Sequence, residues 1–165
     1  MSQGLQRREL AFDDLDAVIR DVDALAADGY EQVGNWDLAQ VCGHLTDWMR
    51  YPLDGYPKPP LPIRVMLWGM KVTIGRREMR KMMASGSMQS GRPTFPETVP
   101  PPGSDQAAAV ERLRDVAGRF KTHQGKFQPS PLFGDLDRET MTRLQLIHCA
   151  HHLSFLVKKQ GGVRS

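Results

Sequence analysis

Apolar residues recur along this chain at helical rather than strand spacing. Leu15, Val18, Ile19, Val22, Leu25 and Ala26 follow the i, i+3, i+4, i+7 pattern of a core-facing stripe. They predict a first helix over residues 13–27, stopped by Gly29. A second helix is expected to open at Asn35 as N-cap, with Asp37 in its first turn. Its stripe is Leu38, Val41, Cys42, Leu45 and Met49, and Pro52 is expected to end it. His44 lies on the shoulder of that stripe, with Gln40, Trp48 and Tyr51 as same-face neighbours.

A third helix is expected over residues 62–83, with Pro62 in its first turn. Val65, Met66, Trp68, Met70, Met79, Met82 and Met83 read as soft core filling, a ligand-adaptable wall being the alternative. Residues 84–103 cannot form a regular element, because Gly86, Gly91, Pro93, Pro96 and the Pro100-Pro101-Pro102-Gly103 run break it. A loop of that length either covers a pocket or crosses the surface. The fourth helix is expected to start at a Ser104 cap, bury Ala109, Leu113, Val116, Ala117 and Phe120, and stop before Gly125. A turn-rich stretch over 127–135 leads to Asp137 as N-cap of a fifth helix. That helix is expected to reach Lys159, with Lys158 and Lys159 in its last turn and Gly161 beyond. At most residues 6–10 read as extended. The expected fold is all-α, one domain over residues 1–165, with an additional short helix and a long Pro-rich loop.

Composition adds limits. A chain of 165 residues with 40% hydrophobic and 25% charged positions has the make-up of a globular protein with a real core. A net charge of +3, with no aromatic interleaving among the basic residues, argues against a nucleic-acid partner. The charge is uneven. Asp13, Asp14, Asp16, Asp21, Asp23, Asp28 and Glu31 face only Arg20, whereas Arg64, Lys71, Arg76, Arg77, Arg80, Lys81 and Arg92 face only Glu78. Two solvated faces attracting one another, within a bundle or across a dimer, are expected; a polyanion site is the alternative. Cys42 and Cys149 form no C-x-x-C, the first residues are polar, and no apolar run nears the roughly 20 residues needed to span a bilayer. A cytoplasmic protein with no membrane partner is expected.

The candidate chemistry sits in His148-Cys149-Ala150-His151-His152, which holds three of the five histidines. His148 and His152 are one helical turn apart on the sector of Met141, Leu144 and Phe155. If the second and last helices pack side by side, His44 faces this pair. Three imidazoles suit zinc, nickel, copper or iron and leave a coordination position for water or substrate. Spacing alone leaves metal ligation and ordinary packing both open. His151 reads as a residue beside the site, His123 as solvated, and Cys42 and Cys149 as packing. A carboxylate orienting a ligand is expected by general rule, with Asp37, Asp47 and Glu139 as candidates. No serine elbow, phosphate loop or dinucleotide fingerprint is present.

Gly34-Asn35-Trp36-Asp37-Leu38-Ala39-Gln40-Val41-Cys42-Gly43-His44-Leu45 resembles the signature that opens the metal site of DinB-like (DinB/YfiT) proteins. His148-x-x-His151-His152-Leu153 is similar to their last-helix motif. Arg8-Glu9-Leu10-Ala11-Phe12, Leu53-Asp54-Gly55 and Pro131-Leu132-Phe133-Gly134 narrow the resemblance to the branch named domain-of-unknown-function family 1569. The resemblance implies a four-helix bundle, a homodimer, and a divalent metal, zinc or nickel, on His44, His148 and His152. It further implies a small-molecule substrate, with a low-molecular-weight thiol as co-substrate, because better-known relatives are thiol-dependent S-transferases and isomerases. His151 would then carry protons or sit behind the ligands as the catalytic residue. Relatives in this branch often carry a histidine where this chain has Ser130. The alternative is a non-catalytic, metal-stabilised dimeric module that binds a small molecule or protein partner.

Overall fold

The computed structural model describes residues 6–58, 60–89 and 98–159. It is mainly helical. In chain order the elements are α1 (Leu15–Asp28), β1 (Tyr30–Gln32), α2 (Leu38–Asp54), α3 (Leu61–Met70), a π-helical stretch (Lys71–Gly75), α4 (Arg76–Ser85), α5 (Gln106–Thr122), α6 (Arg138–Leu153) and β2 (Leu156–Lys158). Helices α1, α2, α5 and α6 pack on one another, and α4 leans on α6. Their apolar stripes meet in one core that includes Val22, Leu25, Leu38, Leu45, Leu113 and Phe120.

The start of α2 shifts from the expected Asn35 to Asp37, because a capping box forms there. Asp37 accepts from Gln40 N at 2.8 Å and the Gln40 side chain accepts from Asp37 N at 3.1 Å. Likewise Asp105, not Ser104, caps α5. Pro52 does not end α2, which continues to Asp54. The helical bond that proline cannot donate would have gone to the Trp48 carbonyl; Gln145 Nε2 of α6 donates to it instead, at 3.2 Å. The proline thus frees a backbone acceptor that ties the two site-bearing helices together.

The last helix stops at Leu153 rather than Lys159. Its final carbonyls are taken by the N-terminal segment: Arg8 Nη2 donates to Leu153 O at 3.0 Å and Arg7 Nη2 to His151 O at 3.2 Å. Two guanidinium groups there also suit the negative end of the helix dipole. Beyond them Leu156 is buried and β2 pairs antiparallel with β1, Tyr30 opposite Lys158. That two-stranded pairing was not expected from residue patterning.

The third segment departs most from expectation. Helix α3 buries none of its residues, and Leu61, Val65, Met66 and Trp68 are 54–68% exposed. The methionine-rich stripe therefore fills core only further on, where Met79 is buried. Anchorage comes from Gly75, whose missing side chain lets the helix approach the Leu132 carbonyl, and from Arg143, which donates to Met83 O at 2.7 Å.

Among the described residues, the acidic face of α1 finds its partners on α5, the N-terminal segment and β2 rather than on residues 64–89. Asp23 pairs with Arg114, Asp16 with Lys121 and Asp21 with Arg8, and the last pair is largely enclosed. Of the expected covering loop, residues 90–97, with Arg92, lie outside the described residues. Among the described residues no helix is long and apolar enough to cross a membrane.

Candidate metal centre

Helix α2 carries His44 inward from the shoulder of its stripe, and the ring is 1% exposed. Helix α6 presents His148, which is buried, and His152, which keeps part of its surface. The Gln145–Trp48 bond holds the two helices at this level, and the three rings converge. Each histidine offers a nitrogen within 4.8 Å of the other two. His44 Nε2 and His148 Nε2 stand 3.2 Å apart. Two imidazoles sharing one ion at bonds of about 2.0–2.1 Å bring their nitrogens to about 3–3.5 Å.

The rings are neutral. Burial pushes His44 down to about 4 and His152 down to about 2, helped at His152 by His44, His151 and Arg7. His148 is held well below the ordinary imidazole value, first by burial and then by His152, His44 and His151. Neutral imidazoles keep their lone pairs, and a proton competes weakly for them.

His44 Nδ1 lies 2.9 Å from Thr98 Oγ1, and Thr98 is buried. That contact directs the other ring nitrogen, Nε2, into the cluster. The orienting group is thus a hydroxyl from the returning leg of the Pro-rich loop, not one of the expected carboxylates. Asp37 is spent on the helix cap and Asp47 pairs with Arg50. The same leg is pinned by Gln40 Nε2, which donates to Pro100 O at 3.0 Å, and by Pro100 resting on Gly43.

Two indoles wall the cluster. Trp36 stacks on His152 at 5.1 Å and 5° and tilts against His44. Trp48 stands edge-on to His148 at 5.4 Å, and its Nε1 is buried with no hydrogen-bond partner among the described residues. Trp36 was visible in the sequence motif without an assigned role; Thr98 carried no signal there.

His151 lies outside the triad. Its ring is edge-on to His152 at 4.9 Å, and Arg7 Nη2 sits 3.1 Å from its Nδ1. Burial lowers its pKa, and the Arg7 charge adds to that. Cys42 and Cys149 are buried free thiols pushed up to about 12 by desolvation, and neither joins the group of donor atoms formed by the three histidines. His123 lies at the end of α5, stacked on Phe127 at 5.2 Å and away from the cluster. Ser130 closes a turn: its hydroxyl accepts from Leu132 N and Phe133 N.

The donor set, its neutrality and the donor spacing fit a divalent ion on His44, His148 and His152. A model of a family described as "Protein of unknown function (DUF1569)" matches residues 4–159. Neither a curated protein nor a solved structure matches the chain.

Proposed function

We propose that this chain, which belongs to the DUF1569 family, is a metal-dependent enzyme acting on a small electrophilic molecule, with a low-molecular-weight thiol or water as nucleophile. One observation carries the reading: three neutral imidazoles from two helices bring ligand atoms within 4.8 Å of one another. When bound, a zinc or nickel ion supplies Lewis acidity that brings the pKa of a thiol or water toward neutrality. The protein's own part is to hold the ligands. Thr98 orients His44, Trp36 backs His152, and the buried Trp48 N–H is a donor available to an incoming anion.

His151, expected as the catalytic residue, serves here as a positioning residue. It braces His152 edge-on while Arg7 sits at its Nδ1 and the Met88 backbone accepts a hydrogen bond from the ring. Packing of α1, α2, α5 and α6 supports the DinB-like four-helix bundle implied by the resemblance, as one domain. Buried free thiols support a reducing, cytoplasmic setting.

The test is turnover. Protein purified without a histidine tag is analysed for bound metal, then assayed against a panel of thiols and electrophiles. Metal-dependent rates in the wild type that vanish in His148→Ala are expected. Equal rates in the two proteins overturn the catalytic reading. A non-catalytic metal-stabilised module is the second reading. Grooves of about 440 Å³ beside Gly43 and Arg112 and about 320 Å³ beside Tyr56 and Trp68, neither lined by a triad histidine, would supply its binding surface. It predicts metal-linked stability without turnover.

A further inference from the structure

Among the described residues, every large apolar side chain left exposed, except Val33, lies between Leu61 and Ile74. Leu61, Val65 and Trp68 follow one another at i, i+4 and i+7 on one side of α3, each 59–68% exposed. A helix this apolar with nothing buried is one that something else covers.

The same segment concentrates the positive charge. Six bases against one acid give residues 61–85 a net charge of +5, above the whole chain's +3, so the remainder is net negative. Beside α3 runs a groove of about 320 Å³ whose lining includes Lys58, Arg64 and Lys71 together with Tyr56 and Trp68, and no carboxylate. Lys71 lays its stem over Gly134, where a side chain would collide with it. The face is therefore apolar and cationic at once, with amphipathic aromatic rings between the two characters.

We propose that α3 and this groove dock on an anionic lipid surface. The apolar side chains enter the boundary of the bilayer, and Lys58, Arg64 and Lys71 meet lipid phosphates. A second copy of the chain matches less well. Helix α3 against its own copy sets cation against cation. Against the acidic α1 face, its exposed apolar row meets a surface with no large exposed apolar residue among those described. An anionic bilayer offers both properties in one plane. Lying on the surface needs no spanning helix, so the absence of one does not bear on it. The sequence expectation of no membrane partner rested on the absence of a spanning segment, and the proposal departs from it.

The experiment is co-sedimentation of the full chain with vesicles of phosphatidylcholine alone and of equimolar phosphatidylcholine and phosphatidylglycerol. Binding is expected only to the anionic vesicles, falling as salt is raised. A blue shift of tryptophan emission is expected on binding and is lost in Trp68→Phe. Lys58→Gln with Arg64→Gln lowers partitioning about thirtyfold, the worth of two bases at such a surface. Trp68→Glu abolishes it. All three residues are exposed, so helical content and metal content stay unchanged, which separates this outcome from any failure at the histidines. Equal binding to both vesicle types, no binding, or unchanged binding in the charge and Trp68→Glu variants overturns the proposal. A solution dimer that Trp68→Glu splits also overturns it and gives the face to a second copy.

Discussion

Thr98 Oγ1 lies 2.9 Å from His44 Nδ1, 54 residues away in the chain and buried with it. The contact joins the returning leg of the Pro-rich loop to the one triad residue contributed by α2. Thr98→Val keeps the shape and removes the hydroxyl. Metal affinity is expected to fall about 10–100-fold, as for other residues that orient a ligand, and Thr98→Ser to restore most of it. Competition against a chromogenic chelator measures both; equal affinity in Thr98→Val would show that packing alone sets the His44 ring.

Metal removal should be visible in thermal stability. An ion at a hundred times its Kd stabilises by about 2.7 kcal/mol. For a domain of this size each kcal/mol moves Tm by about 2–4 °C. Dialysis against chelator is therefore expected to lower Tm by about 5–10 °C, reversed by adding back metal. His44→Ala, His148→Ala and His152→Ala should each abolish the response in scanning calorimetry.

The metal-free protein should weaken in mild acid. His44 is neutral in the fold with its pKa pushed down to about 4, against an ordinary 6.5. The unfolded chain therefore takes up the proton first. Stability is full above about pH 6.5 and declines as pH falls toward the folded-state value. For His44 the loss between about pH 6.5 and about pH 5 is on the order of 2 kcal/mol, with His148 and His152 acting in the same direction. Urea titrations in chelator at the two pH values test the slope, and His44→Gln should flatten it.

A Cβ at Gly43 would overlap the ring of Pro100, and a proline ring cannot swing aside. Gly43→Ala is expected to cost about 1–3 kcal/mol through overpacking. It should also reduce metal affinity, because displacing Pro100 moves Thr98 two residues away. Urea unfolding and the chelator assay, run on one preparation, distinguish this from a purely local strain.

Gln145→Leu removes the donor that serves the Trp48 carbonyl left open by Pro52. A buried acceptor left unpaired costs about 1–3 kcal/mol, and this bond is part-buried, so the low end, about 1 kcal/mol, is expected. The same substitution on a Pro52→Ala background should be milder, since the helix then supplies its own donor. A double-mutant cycle reads the coupling between the two sites.

Much of this was legible residue by residue. Helix existence followed from apolar spacing at 15–25, 38–49, 109–120 and 141–153, and caps at Asp137 and Gly29 followed from residue type. The convergence of His44 with His148 and His152 was legible as a conditional, because each ring's angular place on its helix is a local property. Failures came where two distant segments compete. Leu156–Lys158 continues a helical pattern well enough, but Arg7 and Arg8 cap α6 first and β1 offers a partner strand. The row of α3 looked like core because periodicity reports an apolar face without saying what covers it.

What the chain determined by itself is therefore the set of helices, the side of each that turns inward, and the presence of three imidazoles at positions able to meet. These depend on 3.6-residue periodicity and on side-chain chemistry, which are written locally. What only the tertiary structure decided is that α2 and α6 approach closely enough to bring two nitrogens to 3.2 Å, that Thr98 orients His44, and that α3 stays uncovered. Those outcomes depend on which surfaces pack against which. Packing is settled by contacts between residues tens of positions apart, and no local pattern records it.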